Sequence, residues 1–145
     1  MTFVTHILVV AAGVQLLGLE GLDAMWAYVF GVAVDLDHAV KVPAYINRIG
    51  WKRKKHYNWR TSLQEPVSLL WVVPFSIAVR SAVPSVFFVA HMTLDYLVSY
   101  EKRPFWPFSG FVTKGIWLGR SDKLKEIVVA AMFGCINLLL WSTSK

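Results

Sequence analysis

The sequence has few of the features that soluble or secreted proteins depend on. It contains a single cysteine, Cys135, so no disulfide can form within the chain and no cysteine-based metal site can exist. Only 17% of its residues are charged, whereas soluble domains carry about 25%. The first residues lack the basic region and small-residue cleavage site of a signal peptide, which predicts that the first apolar segment is retained.

Apolar and aromatic residues take the place of the missing charge. Hydrophobic residues make up 56% of the 145 residues, and they include seven tryptophans and nine phenylalanines. Tryptophan is the side chain that favours the interface between a membrane and water. The composition therefore predicts an integral membrane protein, and the length fits one domain, residues 1–145.

The charge-poor stretches predict an all-α, polytopic membrane bundle of about five helices. They cover residues 1–19, 24–34, 66–79, 85–100 and 127–144. The first and last can cross a hydrocarbon core of about 30 Å at about 1.5 Å per residue, whereas the other three are short for a span. Arg80 and Pro84 favour a turn between the third and fourth helices. A single long helix kinked at Pro74 and Pro84 is the alternative.

The basic residues predict the orientation of the bundle. Seven lie in the loop at residues 37–65 and six in the loop at residues 101–126, so thirteen of the fifteen fall in two loops. The positive-inside rule places both loops in the cytoplasm, and five helices put them on the same side. The N-terminus then lies on the cytoplasmic side of the inner (cytoplasmic) membrane, and the C-terminus lies on its outer side. The basic and aromatic segment 48–60 favours anionic lipid headgroups as partners rather than nucleic acid, and the oligomeric state stays open.

Imidazole and carboxylate side chains gather at the predicted cytoplasmic ends of the helices. His91 and Asp95 are one turn apart, so they share a helix face. Ionisable groups are costly within a membrane and usually mark a functional site. Such groups are common ligands of zinc, manganese or iron. Helix capping or pairing with the basic loops is the structural alternative, and it is weakest for His91 and Asp95. The candidate metal ligands are His6, Asp35, Asp37, His38, His56, Glu65, His91 and Asp95.

The order of these motifs resembles a known family. His6 is followed by Asp-Leu-Asp-His at 35–38, by His56 with Ser62-Leu63, by His-Met-Thr-Leu-Asp at 91–95 and by Pro-Phe-Ser at 107–109. This order resembles the LexA-regulated family of inner-membrane metal-dependent hydrolases, which are distantly similar to zinc-dependent phospholipase C. The resemblance implies hydrolase activity.

The chain departs from that family in one motif. The family's central loop reads His-Arg-Gly-x-Thr-His-Ser, whereas residues 56–62 here read His-Tyr-Asn-Trp-Arg-Thr-Ser. Thr61 therefore stands where the family has a second histidine, which removes one expected ligand of a two-metal centre. Glu65, one helical turn later, could compensate.

Together with the resemblance, these residues predict a membrane-embedded metal-dependent hydrolase, namely a phosphoesterase that acts on a lipid or lipid-linked phosphate at the cytoplasmic leaflet. Zinc or manganese is the expected cofactor, since a bound divalent metal lowers the pKa of water to about 7. Asp37 is the candidate general base, and Arg60 with Lys55 is expected to bind the phosphate. A metal-ion or proton carrier and a non-catalytic membrane subunit are the alternatives. The scarcity of polar residues in the outer half argues against a carrier.

Overall fold

A computed structural model describes residues 2–49, 61–97, 104–105, 108–113 and 122–143. These residues form six α-helices and no β-strand, which confirms the predicted all-α class. The helices are α1 (Phe3–Leu17), α2 (Gly21–Gly31), α3 (His38–Ile49), α4 (Leu69–Ala78), α5 (Val83–Leu97) and α6 (Asp122–Thr143).

The helix α3 accounts for the difference between the six helices observed and the five expected. The sequence predicts a polar loop after Asp37, with Pro43 as a helix breaker. In the structure the helix continues through Pro43, and its polar and apolar residues lie on different faces. Such an amphipathic helix is stabilised by its surroundings rather than by a continuous apolar sequence.

Short turns join the helices that pack together. α1 ends at Gly18, whose φ of +58° is left-handed, and the N–H groups of Gly18 and Leu19 cap the carbonyls of Gln15 and Val14. Glycine adopts this conformation without steric cost. Three residues later α2 begins and packs back against α1.

The turn predicted between the third and fourth apolar segments is confirmed. α4 ends at Ala78 and α5 begins at Val83, so the two are separate helices. Arg80 has a left-handed φ of +55°. The hydroxyl of Ser81 donates a hydrogen bond of 2.7 Å to Asp23 at the start of α2. This bond ties the α4–α5 turn to the α1–α2 turn at one end of the bundle.

Helices α1 and α6 pack side by side and run in the same direction. Near their first residues, the hydroxyl of Thr5 lies 3.5 Å from Glu126 Oε1. Further along both, Gln15 Nε2 donates to Asn137 Oδ1 at 2.7 Å. The starts of α1 and α6 therefore lie at the same end of the bundle.

The described residues place polar groups inside and many apolar groups outside. His6, Gln64, Glu65, His91 and Asp95 are all buried. Large apolar side chains are exposed on several helices, for example Leu16, Leu22, Ile77, Val86 and Leu138. Within the described ranges one helical segment, Lys123–Thr143, is long and apolar enough to cross a membrane, and three other apolar helical segments are shorter.

Candidate metal centre

Four of the predicted ligands meet at the end of the bundle where α1 begins and α5 ends. They are His6 of α1, Asp35 of the tight 3₁₀ turn Ala33–Asp37, and His91 and Asp95 of α5. One ligand atom from each lies within 4.8 Å of the others. All four side chains are buried, and the most accessible, that of Asp35, is 9% exposed.

Three of the distances within this group are close to those expected between ligands of one ion. His6 Nε2 lies 3.3 Å from Asp95 Oδ1 and 3.6 Å from Asp35 Oδ2, and His91 Nε2 lies 3.5 Å from Asp35 Oδ1. N–H···O hydrogen bonds are shorter, about 2.7–3.2 Å. Ligands about 2.1 Å from a tetrahedral zinc ion lie about 3.4 Å apart. The observed distances therefore fit an ion held between the four side chains.

Local structure points His91 towards the group. Its Nδ1 lies 3.0 Å from the carbonyl oxygen of Gly31, at the end of α2. When Nδ1–H donates to that carbonyl, Nε2 carries the lone pair and faces Asp35. Metal-binding histidines are usually oriented by a hydrogen bond of this kind.

The close packing of α1 against the end of α2 depends on the absence of a side chain at Gly31. A Cβ atom there would lie 2.4 Å from Val10 Cγ2 of α1. Glycine thus lets α1 approach the end of α2, and this approach helps bring His6 next to His91. The two imidazole rings are stacked, with centroids 4.1 Å apart and planes inclined by 22°.

Gln64 links the group to Asp37. Its Nε2 donates to Asp35 Oδ1 at 2.9 Å and to Asp37 Oδ1 at 2.8 Å, and the residue is 1% exposed. The hydroxyl of Thr61 donates to the other oxygen, Asp37 Oδ2. Asp37 is thus attached to the group by hydrogen bonds but does not belong to the set of four mutually close ligands.

Lys41 lies one helical turn after Asp37, and its pKa is affected by the charge of Asp37. Burial lowers the pKa of Lys41, and the negative charge of Asp37 opposes this effect by raising the pKa. Asp37 therefore interacts with a cation on α3 as well as with Gln64 and Thr61. These contacts fix the position of its carboxylate.

Glu65 is buried but lies outside the group of four. Its Oε2 accepts a hydrogen bond of 2.6 Å from the hydroxyl of Tyr96, the residue after Asp95. Glu65 thus joins the segment before α4 to the end of α5. The remaining predicted site residues, Lys55, His56 and Arg60, fall outside the described residues, as does the side chain of His38.

Sequence reasoning missed three contributors to this site. Gln64 and Tyr96 adjoin predicted ligands along the chain, which is the one signal that favours them. Gly31 lies within the apolar segment 24–34, four residues before Asp35, but nothing in the sequence shows that its carbonyl meets His91.

An apolar groove gives access to the two imidazoles. It has a volume of about 220 Å³ and extends from His6 and His91 between α1 and α5 as far as Leu16 and Leu17. Apart from the imidazoles, all the side chains that line it are apolar. The groove therefore reaches the two imidazole rings, whereas Nδ1 and Nε2 of His6 and Nε2 of His91 are themselves buried.

Comparisons with known proteins give no relative from which the role of the site could be inferred. No family model, no curated protein and no solved structure matches this chain. Function is therefore inferred from the buried group of His6, Asp35, His91 and Asp95, at the end of the bundle where α1 begins and α5 ends.

Proposed function

We propose that the chain is a multi-pass protein of the cytoplasmic membrane and a metal-dependent hydrolase that cleaves a phosphoester of a lipid or lipid-linked phosphate. The observation that carries this proposal is the buried group of His6, Asp35, His91 and Asp95. These four side chains are suited to bind a divalent metal, and they lie at one end of the helices. In a membrane, that end would lie at the depth of lipid headgroups.

The distribution of side chains supports a membrane location. Imidazoles, carboxylates and an amide are buried, while leucine, isoleucine and valine are exposed on the outer faces of several helices. Water would disfavour that arrangement, whereas hydrocarbon favours it. The parallel packing of α1 and α6 also agrees with two helices that both run outward from the cytoplasm. The shorter helices would span with their polar ends in a locally thinned bilayer.

The ligand set supports zinc or manganese as the ion. Two imidazoles and two carboxylates suit either metal, and their spacing matches a coordination shell. A bound ion of this kind supplies Lewis acidity and an activated water at neutral pH. His91 is held by Gly31 and Asp35 is held by Gln64, so the protein positions both ligands before an ion binds.

Asp37 is suited to accept a proton beside the centre. Its two oxygens accept hydrogen bonds from Gln64 and Thr61, and each oxygen keeps a further lone pair. Because these hydrogen bonds hold the Asp37 carboxylate in place outside the group of four, we assign it the role of general base and not that of a metal ligand. Arg60 directly precedes Thr61 in the chain. We assign Arg60 and Lys55 to phosphate binding, because guanidinium and ammonium groups bind phosphate oxygens.

A carrier function fits the interior less well. Beyond the group of four, the side chains that pack between α1, α2 and α5 are apolar and include Val10, Ala27, Val32 and Phe87. An ion that crossed the bundle there would have to leave its ligands for hydrocarbon, which is costly.

Phosphate release from lipid vesicles tests the proposed reaction. Purified full-length protein is reconstituted with phosphatidic acid or a polyprenyl phosphate, with zinc or manganese added, and free phosphate is measured. We expect turnover that stops on chelation, returns when the metal is restored and is absent in Asp95→Asn. The matched variant Asp23→Asn changes a carboxylate at the opposite end of the bundle and keeps the activity. Turnover that is insensitive to chelators would contradict the proposal, as would full activity in Asp95→Asn.

A further inference from the structure

The apolar groove runs lengthwise along the bundle and ends at the candidate metal centre. His6 and His91 form its inner end, and Leu16, ten residues after His6 on α1, lies near the other end. Ten residues of helix extend about 15 Å. The groove therefore leads from the depth of the four ligands towards the last turn of α1, at the opposite end of that helix. Its walls include Val9, Gly13 and Leu16 from α1 and Val86, Ala90 and Leu94 from α5.

The chemistry of the walls restricts what can bind there. Every lining side chain other than the two imidazoles is apolar, so sugars, peptides and nucleotides would leave their polar groups without hydrogen bonds. Hydrocarbon meets no such penalty. The volume of about 220 Å³ is large enough for part of a hydrocarbon chain.

The rim of the groove is apolar and exposed. Leu16 is 62% exposed, Leu17 is 61% exposed and Val86 is 52% exposed. In a bilayer these side chains would contact lipid tails, so a chain could move sideways from the bilayer into the groove without passing through water. Its headgroup would then lie beside His6 and His91.

We infer that this groove binds one hydrocarbon chain of a lipid whose phosphate headgroup lies at the candidate metal centre. The assignment of the headgroup rests on the proposed function, whereas the assignment of the chain rests on the walls and the rim. The groove adjoins the group of four ligands, because His6 and His91 line the groove and also belong to that group. The groove thus selects substrates that carry at least one hydrocarbon chain able to enter it.

Photo-cross-linking tests this inference without relying on turnover. The full-length protein is reconstituted in phosphatidylcholine vesicles that contain phosphatidic acid with a diazirine midway along one acyl chain. After illumination, the labelled residues are mapped by mass spectrometry. We expect labels on groove residues such as Leu16 and Leu94 in addition to the outer faces. Labels on outward-facing residues alone would overturn the inference.

Two variants separate groove binding from general contact with lipid. Ala90→Phe places a ring in the groove and should abolish the labels at Leu16 and Leu94. Ala131→Phe makes the same change on the exposed side of α6 and should preserve them. If Ala90→Phe does not fold, Leu94→Trp obstructs the groove instead. Its effect is measured as loss of the label at Leu16. Groove labels that survive in the obstructed variants would contradict the proposal.

Metal content and phosphate release distinguish failure of this inference from failure of the proposed function. Ala90→Phe should retain the metal content of the wild type, because Ala90 supplies no ligand. Loss of groove labelling in this variant, with no phosphate release in any form of the protein, would support the groove and refute the hydrolase. Wild-type phosphate release in a fully obstructed variant would support the hydrolase and refute the groove.

Discussion

Nε2 of His6, near the start of the first helix, lies 3.3 Å from Oδ1 of Asp95, near the end of the fifth. Both side chains are buried, and His91 and Asp35 complete the group. This juxtaposition joins distant parts of the sequence, so changes in residues that support it should alter metal binding in specific ways.

Gln64 should control metal affinity without being a ligand. Gln64→Leu removes the hydrogen bonds that Nε2 donates to Asp35 and Asp37. Loss of such supporting contacts typically weakens metal binding by about 10–100-fold. A competition titration against a fluorescent zinc chelator measures the effect. Gln15→Leu, at the far end of α1, is the control and should retain wild-type affinity. Equal affinity in both variants would contradict the assigned role.

Gly31 should be needed for the packing of α1 against α2. In Gly31→Ala the new Cβ would meet Val10 Cγ2, and overpacking of this kind costs about 1–3 kcal/mol. Thermal unfolding in detergent should show a lower midpoint. Gly134→Ala, where the Cβ meets nothing within 4 Å, should be neutral or slightly stabilising. The double variant Val10→Ala/Gly31→Ala removes the clash, so it should be more stable than the sum of the single changes predicts. Strict additivity would argue against this contact.

The hydroxyl of Thr61 should matter for turnover more than for metal content. Thr61→Val keeps the shape of the side chain and removes the donor to Asp37 Oδ2. We expect a lower kcat with the metal-to-protein ratio unchanged, because Asp37 is supported but does not join the four ligands. Thr93→Val, an exposed site on α5, is the matched substitution and should have no effect. Loss of metal in Thr61→Val would instead place Asp37 among the ligands.

The sequence predicts much of this site, for identifiable reasons. A spacing of four residues on a helix places His91 and Asp95 on one face whatever the tertiary structure. The charge-poor segments bounded by polar residues place His6 and Asp35 at similar depth. Helix α3 was missed because Pro43 and the nearby basic residues are typical of a loop. The roles of Gln64 and Gly31 arise from contacts between distant segments, and no local pattern encodes those contacts.

The orientation in the membrane can be tested with reporter fusions. The two basic loops predict that residues near Lys54 are cytoplasmic and that Lys145 lies on the opposite side. Fusions of a phosphatase that is active only outside the cytoplasm should be active at Lys145 and inactive near Lys54. Fusions of a cytoplasmic fluorescent reporter at the same positions should give the reverse pattern. The same result at both positions would contradict the predicted membrane topology.

The most direct test of the account is the metal content of the purified protein. Detergent-solubilised wild type, Asp95→Asn and Asp23→Asn are exposed to zinc or manganese, freed of unbound ions and analysed by mass spectrometry of the elements. The four converging ligands predict about one ion per chain in the wild type and in Asp23→Asn, and little or none in Asp95→Asn. A wild-type protein that retains no ion, or an Asp95→Asn variant that retains as much as the wild type, would contradict the account.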